Sequence, residues 1–232
     1  MDSEAKSSGP LNWLRWLRNV GQAAPAPNAH RRLAQLQDDV ARLDDVTRAR
    51  IGRIRVLDAA VRQHASAPDM PGFASGALAE AIREMEPLAL RAADLACRRG
   101  DLAALLENVN AGTLRREISA LRMRREQAGG DPLLQAQLDQ ALRFKNEERA
   151  AYQTIEQTLR RVDGQLESVE CAFAAFKARV LRLKAGDADG GAWSEAFGES
   201  LETDVETLSR QMDALDGSVD EVLAVGRAGS RV

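Results

Sequence analysis

From Tyr152 to Leu183, ten apolar residues follow one another at unbroken spacings of three and four: Tyr152, Ile155, Leu159, Val162, Leu166, Val169, Phe173, Phe176, Val180 and Leu183. An α-helix turns every 3.6 residues, so side chains recurring on average every 3.5 line up as one narrow stripe. A stripe that long needs another helix over it, from the same chain or from a copy. A second unbroken seam follows: Leu201, Val205, Leu208, Met212, Leu215, Val219 and Val222. Only a short glycine-containing loop separates the two, which predicts helices packed antiparallel.

The other segments are read around these seams. Asp131-Pro132 is the cleanest helix start in the chain. The Asp accepts from orphan N–H groups, and Pro at the first helical position has no N–H to leave unpaired. A helix from there to Ala185-Gly186 has about 50 residues and a length of about 75 Å. Its seam begins at Leu134, Leu138 and Ala141, then carries two polar residues, Lys145 and Glu148. These read either as a local loosening or as a register-fixing pair. Upstream, a first long helix is expected from Asn28 to Ser66, ended by Pro68 and Pro71-Gly72. Its seam is Leu33, Leu36, Val40, Leu43, Thr47, Arg50, Ile54, Leu57 and Val61, with Val46 and Ile51 suggesting a local shift. Residues 75–127 read as shorter helices, with a kink or new start at Pro87 and a stop at Gly100-Asp101. Further breaks are expected at Asn110–Thr113 and Gly129-Gly130. The last helix starts near Ser194. The expected fold is all-α: an elongated antiparallel helical coiled coil or bundle with a short N-terminal amphipathic helix. Residues 29–226 form the body, preceded by a disordered tail (1–10), an amphipathic segment (11–20) and a Pro/Ala linker (21–28). A flexible tail (227–232) follows it.

Composition agrees with long helices. Aromatic residues make up 4% and charged residues 29% of the 232-residue chain, a mixture suited to helices more than to an aromatic-rich globular core. Four Lys against 28 Arg suggest a GC-rich bacterial genome. The net charge of -3 argues against a nucleic-acid partner. Charge is nevertheless partitioned. Residues 187–222 hold eleven acidic side chains and one basic, Arg210, whereas residues 31–62 hold eight Arg and five Asp, residues 111–127 five Arg and two Glu, and residues 177–184 four basic side chains and no acid. The acidic last helix is therefore expected beside basic ones. Cys97 and Cys171 form no metal or disulfide pattern and are expected to be buried small hydrophobes. No run approaches the roughly 20 apolar residues of a membrane span, and no secretory signal is visible, so the expected location is cytoplasmic.

Chemistry-bearing patterns are sparse. His30 and His64 lie in no metal-ligand spacing, no phosphate-binding glycine motif occurs, and paired carboxylates such as Asp38-Asp39 read as solvated faces. No cofactor, metal or enzymatic activity is expected. The strongest functional signal is LNWLRWLRNV, residues 11–20. On a helical wheel Trp13, Leu14, Trp16, Leu17 and Val20 fall within about 160°, with Arg15 and Arg18 on the other side and Leu11 at the edge. Indole rings suit a boundary between apolar and polar media, and guanidinium groups pair with phosphates. So short a helix is not stable alone in water. Its apolar face needs cover from an anionic membrane, from the protein's own helices, or from a groove on a partner. The expected partners are therefore further copies of the chain, another helical protein, or anionic lipid on the inner face of the membrane. An amphipathic N-terminal segment followed by a long helical hairpin resembles, in layout, the phage-shock-protein A group of membrane-remodelling proteins. The resemblance implies a self-assembling peripheral membrane protein. The ten-residue polar tail before the anchor and the Pro/Ala linker after it depart from that layout. The broad expectation is a non-catalytic scaffold or adaptor.

Overall fold

A computed structural model describes residues 39–65, 72–107, 109–185 and 192–229. The chain is all-α. Among the described residues it forms five long helices and no strand. They are α1 (Asp45–Ala65), α2 (Gly72–Glu107), α3 (Ala111–Gln127), α4 (Pro132–Lys184) and α5 (Ala192–Gly229). The described body divides into two compact units. The first holds the chain up to Gly100 together with Val162–Asp216; the second holds Asp101–Arg161 and the chain from Gly217.

The first unit is a four-helix arrangement built from α1 and parts of α2, α4 and α5. Its core is the α4 seam. Val162, Leu166, Val169, Phe173, Phe176, Val180 and Leu183 are all buried to 2% exposure or less. Each such side chain contributes about 1.5–3 kcal/mol through removal from water. Opposite them α2 offers Leu88, Ala89, Ala92, Ala93, Leu95 and Ala96, and α5 offers Leu208, Met212 and Leu215. Ion pairs fix the directions. Arg179 of α4 meets Asp204 of α5 at 3.1 Å, close to the loop that joins them, so this pair is antiparallel. Arg91 and Arg98 of α2 meet Asp213 and Asp216 of α5 in the same order, so those two run parallel. Arg50 and Arg53 of α1 likewise reach Glu167 and Glu170 of α4 in parallel. The acidic last helix thus lies beside Arg179 of the basic run 177–184, and beside Arg91 and Arg98 of α2. Of the basic residues 31–62, Arg50 and Arg53 reach α4 and not the last helix.

Several expected boundaries change. The single helix expected from Asn28 to Ser66 is interrupted at Arg42–Asp44; its first part, up to Asp38, lies outside the described residues. The Asp44 carboxylate accepts from the Thr47 amide at 3.0 Å and from the Thr47 hydroxyl at 2.7 Å, and so caps α1. Arg48 donates to the Ala41 and Leu43 carbonyls left over by the preceding turn. The buried stripe of α1 is Thr47, Ile51, Ile54, Asp58 and Val61. Ile51 joins it as expected, whereas Val46 is 73% exposed. Asp58 takes the place expected of Leu57, and it is held by Arg62 at 3.1 Å.

The short helices expected over 75–107 are one helix. Pro87 lies inside α2, where the lost hydrogen bond and ring clash cost about 3 kcal/mol. The buried Leu and Ala that follow it offset that cost. Gly100-Asp101 is not a stop. Gly100 packs against Leu43, and a Cβ there would sit 3.4 Å from Leu43 Cδ2.

The second unit contains α3, the first part of α4, and the ends of α2 and α5. Asn110 caps α3 by accepting from the Thr113 amide at 2.9 Å. Asp131 caps α4, accepting from the Leu133 and Leu134 amides at 3.0 and 3.1 Å. Both breaks fall where the sequence puts them. The α3–α4 hairpin is antiparallel, since Arg125 pairs with Asp139 and Glu117 with Lys145. Leu102, Leu114, Ile118, Leu138, Ile155, Val219 and Leu223 form its core.

Candidate functional site

The second unit has a groove of about 1000 Å³ between the end of α2, the middle of α4 and the end of α5. It exists because the two seams lose their cover there. Tyr152 and Leu159 of α4 are only half-buried. On α5 the buried stripe passes from Val219 to Leu223, so Val222 is half-buried and Val225 is 62% exposed. Both line the groove. Leu105 and Val109 close one side, and Ile155 contributes to the floor.

The polar lining is specific in charge. Two acids, Glu148 and Glu221, stand against one base, Arg161. Glu148 is part of a network. Lys145 lies 2.9 Å from both Glu117 and Glu148, and the Tyr152 hydroxyl donates to Glu148 at 3.3 Å. The ammonium of Lys145 is held above its ordinary value, chiefly by Glu117 and then by Glu148. Burial, assisted by the Glu148 charge, pushes the Tyr152 hydroxyl up. The polar pair on the α4 seam is therefore tied to α3 by a third charge. A cleft of about 60 Å³ on the far side of Tyr152 is lined in part by Arg115 and Arg149.

No His or Cys lines the groove. Among the described residues no group of His, Cys, Asp or Glu is placed to hold a metal ion. Among them, too, no helix is long and apolar enough to cross a membrane. An apolar floor with a charged rim can bind an amphipathic surface, and that is the chemistry this lining offers.

The amphipathic residues Leu11, Trp13, Leu14, Arg15, Trp16, Leu17, Arg18 and Val20 lie outside the described residues. So do the tail 1–10, the linker 21–28, His30 and the end of the chain beyond Gly229. Of the ten seam residues of α4, eight are buried; Tyr152 and Leu159 are the exceptions. Cys97 is half-buried and Cys171 exposed, against the expectation that both are buried. Cys171 stands two residues from both Val169 and Phe173, about 200° round the helix from the buried stripe. The groove residues Leu105, Val109, Arg161 and Glu221 have no marker of function in the sequence. The one available signal was the doubled apolar pair Val222-Leu223 at the end of a single-file seam. Comparison with protein-family models, curated proteins and solved structures finds no match for this chain.

Proposed function

We propose that this chain is a non-catalytic helical scaffold or adaptor that holds an amphipathic helix of a partner protein in the groove of its second unit. One observation carries the reading: two helical seams that are closed in the first unit open in the second onto an apolar groove with a charged rim. Helix-in-groove recognition uses such a floor for affinity and such a rim for orientation. Further copies of the chain are among the proposed partners, because Met123, Leu133 and Phe144 of the α3–α4 hairpin are each at least 60% exposed. The test is affinity purification of the full chain from the cells that make it, beside a Val225→Glu variant. Val225 is largely exposed, so the substitution leaves the core intact. A protein retained by the first and lost by the second is expected. Identical sets from both would count against the groove.

A second reading, attachment to the cytoplasmic face of an anionic membrane, is favoured by LNWLRWLRNV alone. Vesicles of phosphatidylglycerol and phosphatidylcholine should then sediment with the intact chain and not with a chain beginning at Asn28. That binding should weaken as salt rises, because headgroup attraction is screened. Equal sedimentation of the two chains would remove the tether.

A further inference from the structure

We propose that residues 11–20 of the same chain occupy the groove of the second unit when no partner is present, so that the groove carries its own competing helix. The inference rests on reading the groove as a helix-binding site, and three observations support the choice of occupant.

The first is size. A ten-residue helix is about 15 Å long. The groove-lining stretch of α4, Glu148 to Arg161, is about 20 Å of helix, and that of α5, Ser218 to Val225, about 12 Å. The second is chemistry. The five apolar side chains of the segment, two of them indoles, lie on one arc and need cover. The groove presents half-buried or exposed Tyr152, Val222 and Val225 with nothing over them among the described residues. Arg15 or Arg18 would meet Glu221, which has no ionic partner among the described residues, whereas Glu148 is already paired with Lys145. The third is reach. The described chain begins at Asp39, leaving 18 residues between Val20 and that point. Extended, they span at most about 60 Å. Pro25 and Pro27 favour the extended form.

An amphipathic segment held in this way does not present its tryptophans to water, to lipid or to other proteins until something displaces it. A partner helix must compete with a tethered one, whose effective concentration is high. The same contact would make the partner site and the membrane segment mutually regulating.

The experiment uses the full chain carrying Trp193→Phe, which leaves Trp13 and Trp16 as the only indoles. Emission and acrylamide quenching are measured without lipid, at low micromolar concentration, with light scattering in parallel. Blue-shifted emission and quenching several-fold weaker than for a synthetic peptide of residues 11–20 are expected. Adding Val225→Glu should return both toward the peptide values with the far-ultraviolet circular dichroism unchanged. Glu221→Arg, on the exposed rim, should do so without touching the floor, which keeps the test sound if the first variant unfolds. Peptide-like indoles in the parent chain would overturn the inference and leave the partner-helix reading to its own test. Shielding that neither groove substitution alters would also overturn it. Shielding that disappears on dilution together with a fall in mass would assign the occupant to a second copy and overturn the intramolecular contact.

Discussion

Asp44 decides where α1 begins. Its carboxylate takes the Thr47 amide and hydroxyl and also meets Arg99 at 2.8 Å. Burial pushes this carboxyl up, but the Thr47 bonds and the Arg99 charge together outweigh burial and hold it below its ordinary value of 3.8. Asp44→Ala should therefore lower stability by about 1 kcal/mol, the usual loss for an N-cap, read as a shift in the urea midpoint at neutral pH. Arg99 should contribute little to that loss, because Asp44 is 46% exposed. The sign with pH follows from the depressed value. The stabilisation is complete above 3.8 and disappears as pH falls through the lower folded value. Parent and variant should thus converge in acid, and a difference that persisted below that range would contradict the capping role. At this scale the sequence was only partly readable. The buried apolar seam of α4 was legible residue by residue. The burial of Asp58 was not, because a charged residue enters a core only when a partner such as Arg62 is placed beside it.

At the scale of elements, the starts of α3 and α4 were legible because each is set by a residue acting on its own backbone, Asn110 and Asp131. The continuity of α2 was not. A proline, a glycine and an aspartate all argue locally for breaks, and burial of Leu88 to Ala96 overrules them. The α3–α4 hairpin rests on a more delicate balance. Lys145 bridges two carboxylates, Glu117 and Glu148, which would otherwise face each other. Lys145→Met should remove the bridge and leave like charges close together. With the three groups 35–46% exposed, the cost should stay under about 1 kcal/mol. Hydrogen exchange should quicken along 111–127 while the amides of 162–183 keep their protection. Uniform quickening in both stretches would mean that the bridge matters to the fold as a whole.

For the molecule as a whole, the two units carry their apolar surface differently. The first closes its stretch of the α4 seam to 2% exposure or less and exposes Val46 and Val56, whereas the second leaves four large apolar side chains, Met123, Leu133, Phe144 and Val225, at 60% or more. Association between copies should therefore involve the second unit. Light scattering should give a mass above 25.3 kDa that rises with concentration, and Phe144→Gln with Leu133→Gln should lower it toward that value. A mass fixed at 25.3 kDa up to high micromolar concentration would remove self-association from the proposal.

The amino-acid sequence alone established that the chain is all-α, that its last two long helices form an antiparallel pair, and where α3 and α4 begin. These are consequences of period, capping and loop length, all of which act between near neighbours in sequence. Only the tertiary structure decided which helix covers which stretch of seam. Leu166 and Tyr152 occupy equivalent positions in one pattern, two heptads apart, yet the first is wholly buried and the second lines a groove. A period states that a face must be covered; the neighbour that covers it, or fails to, depends on residues far away along the chain.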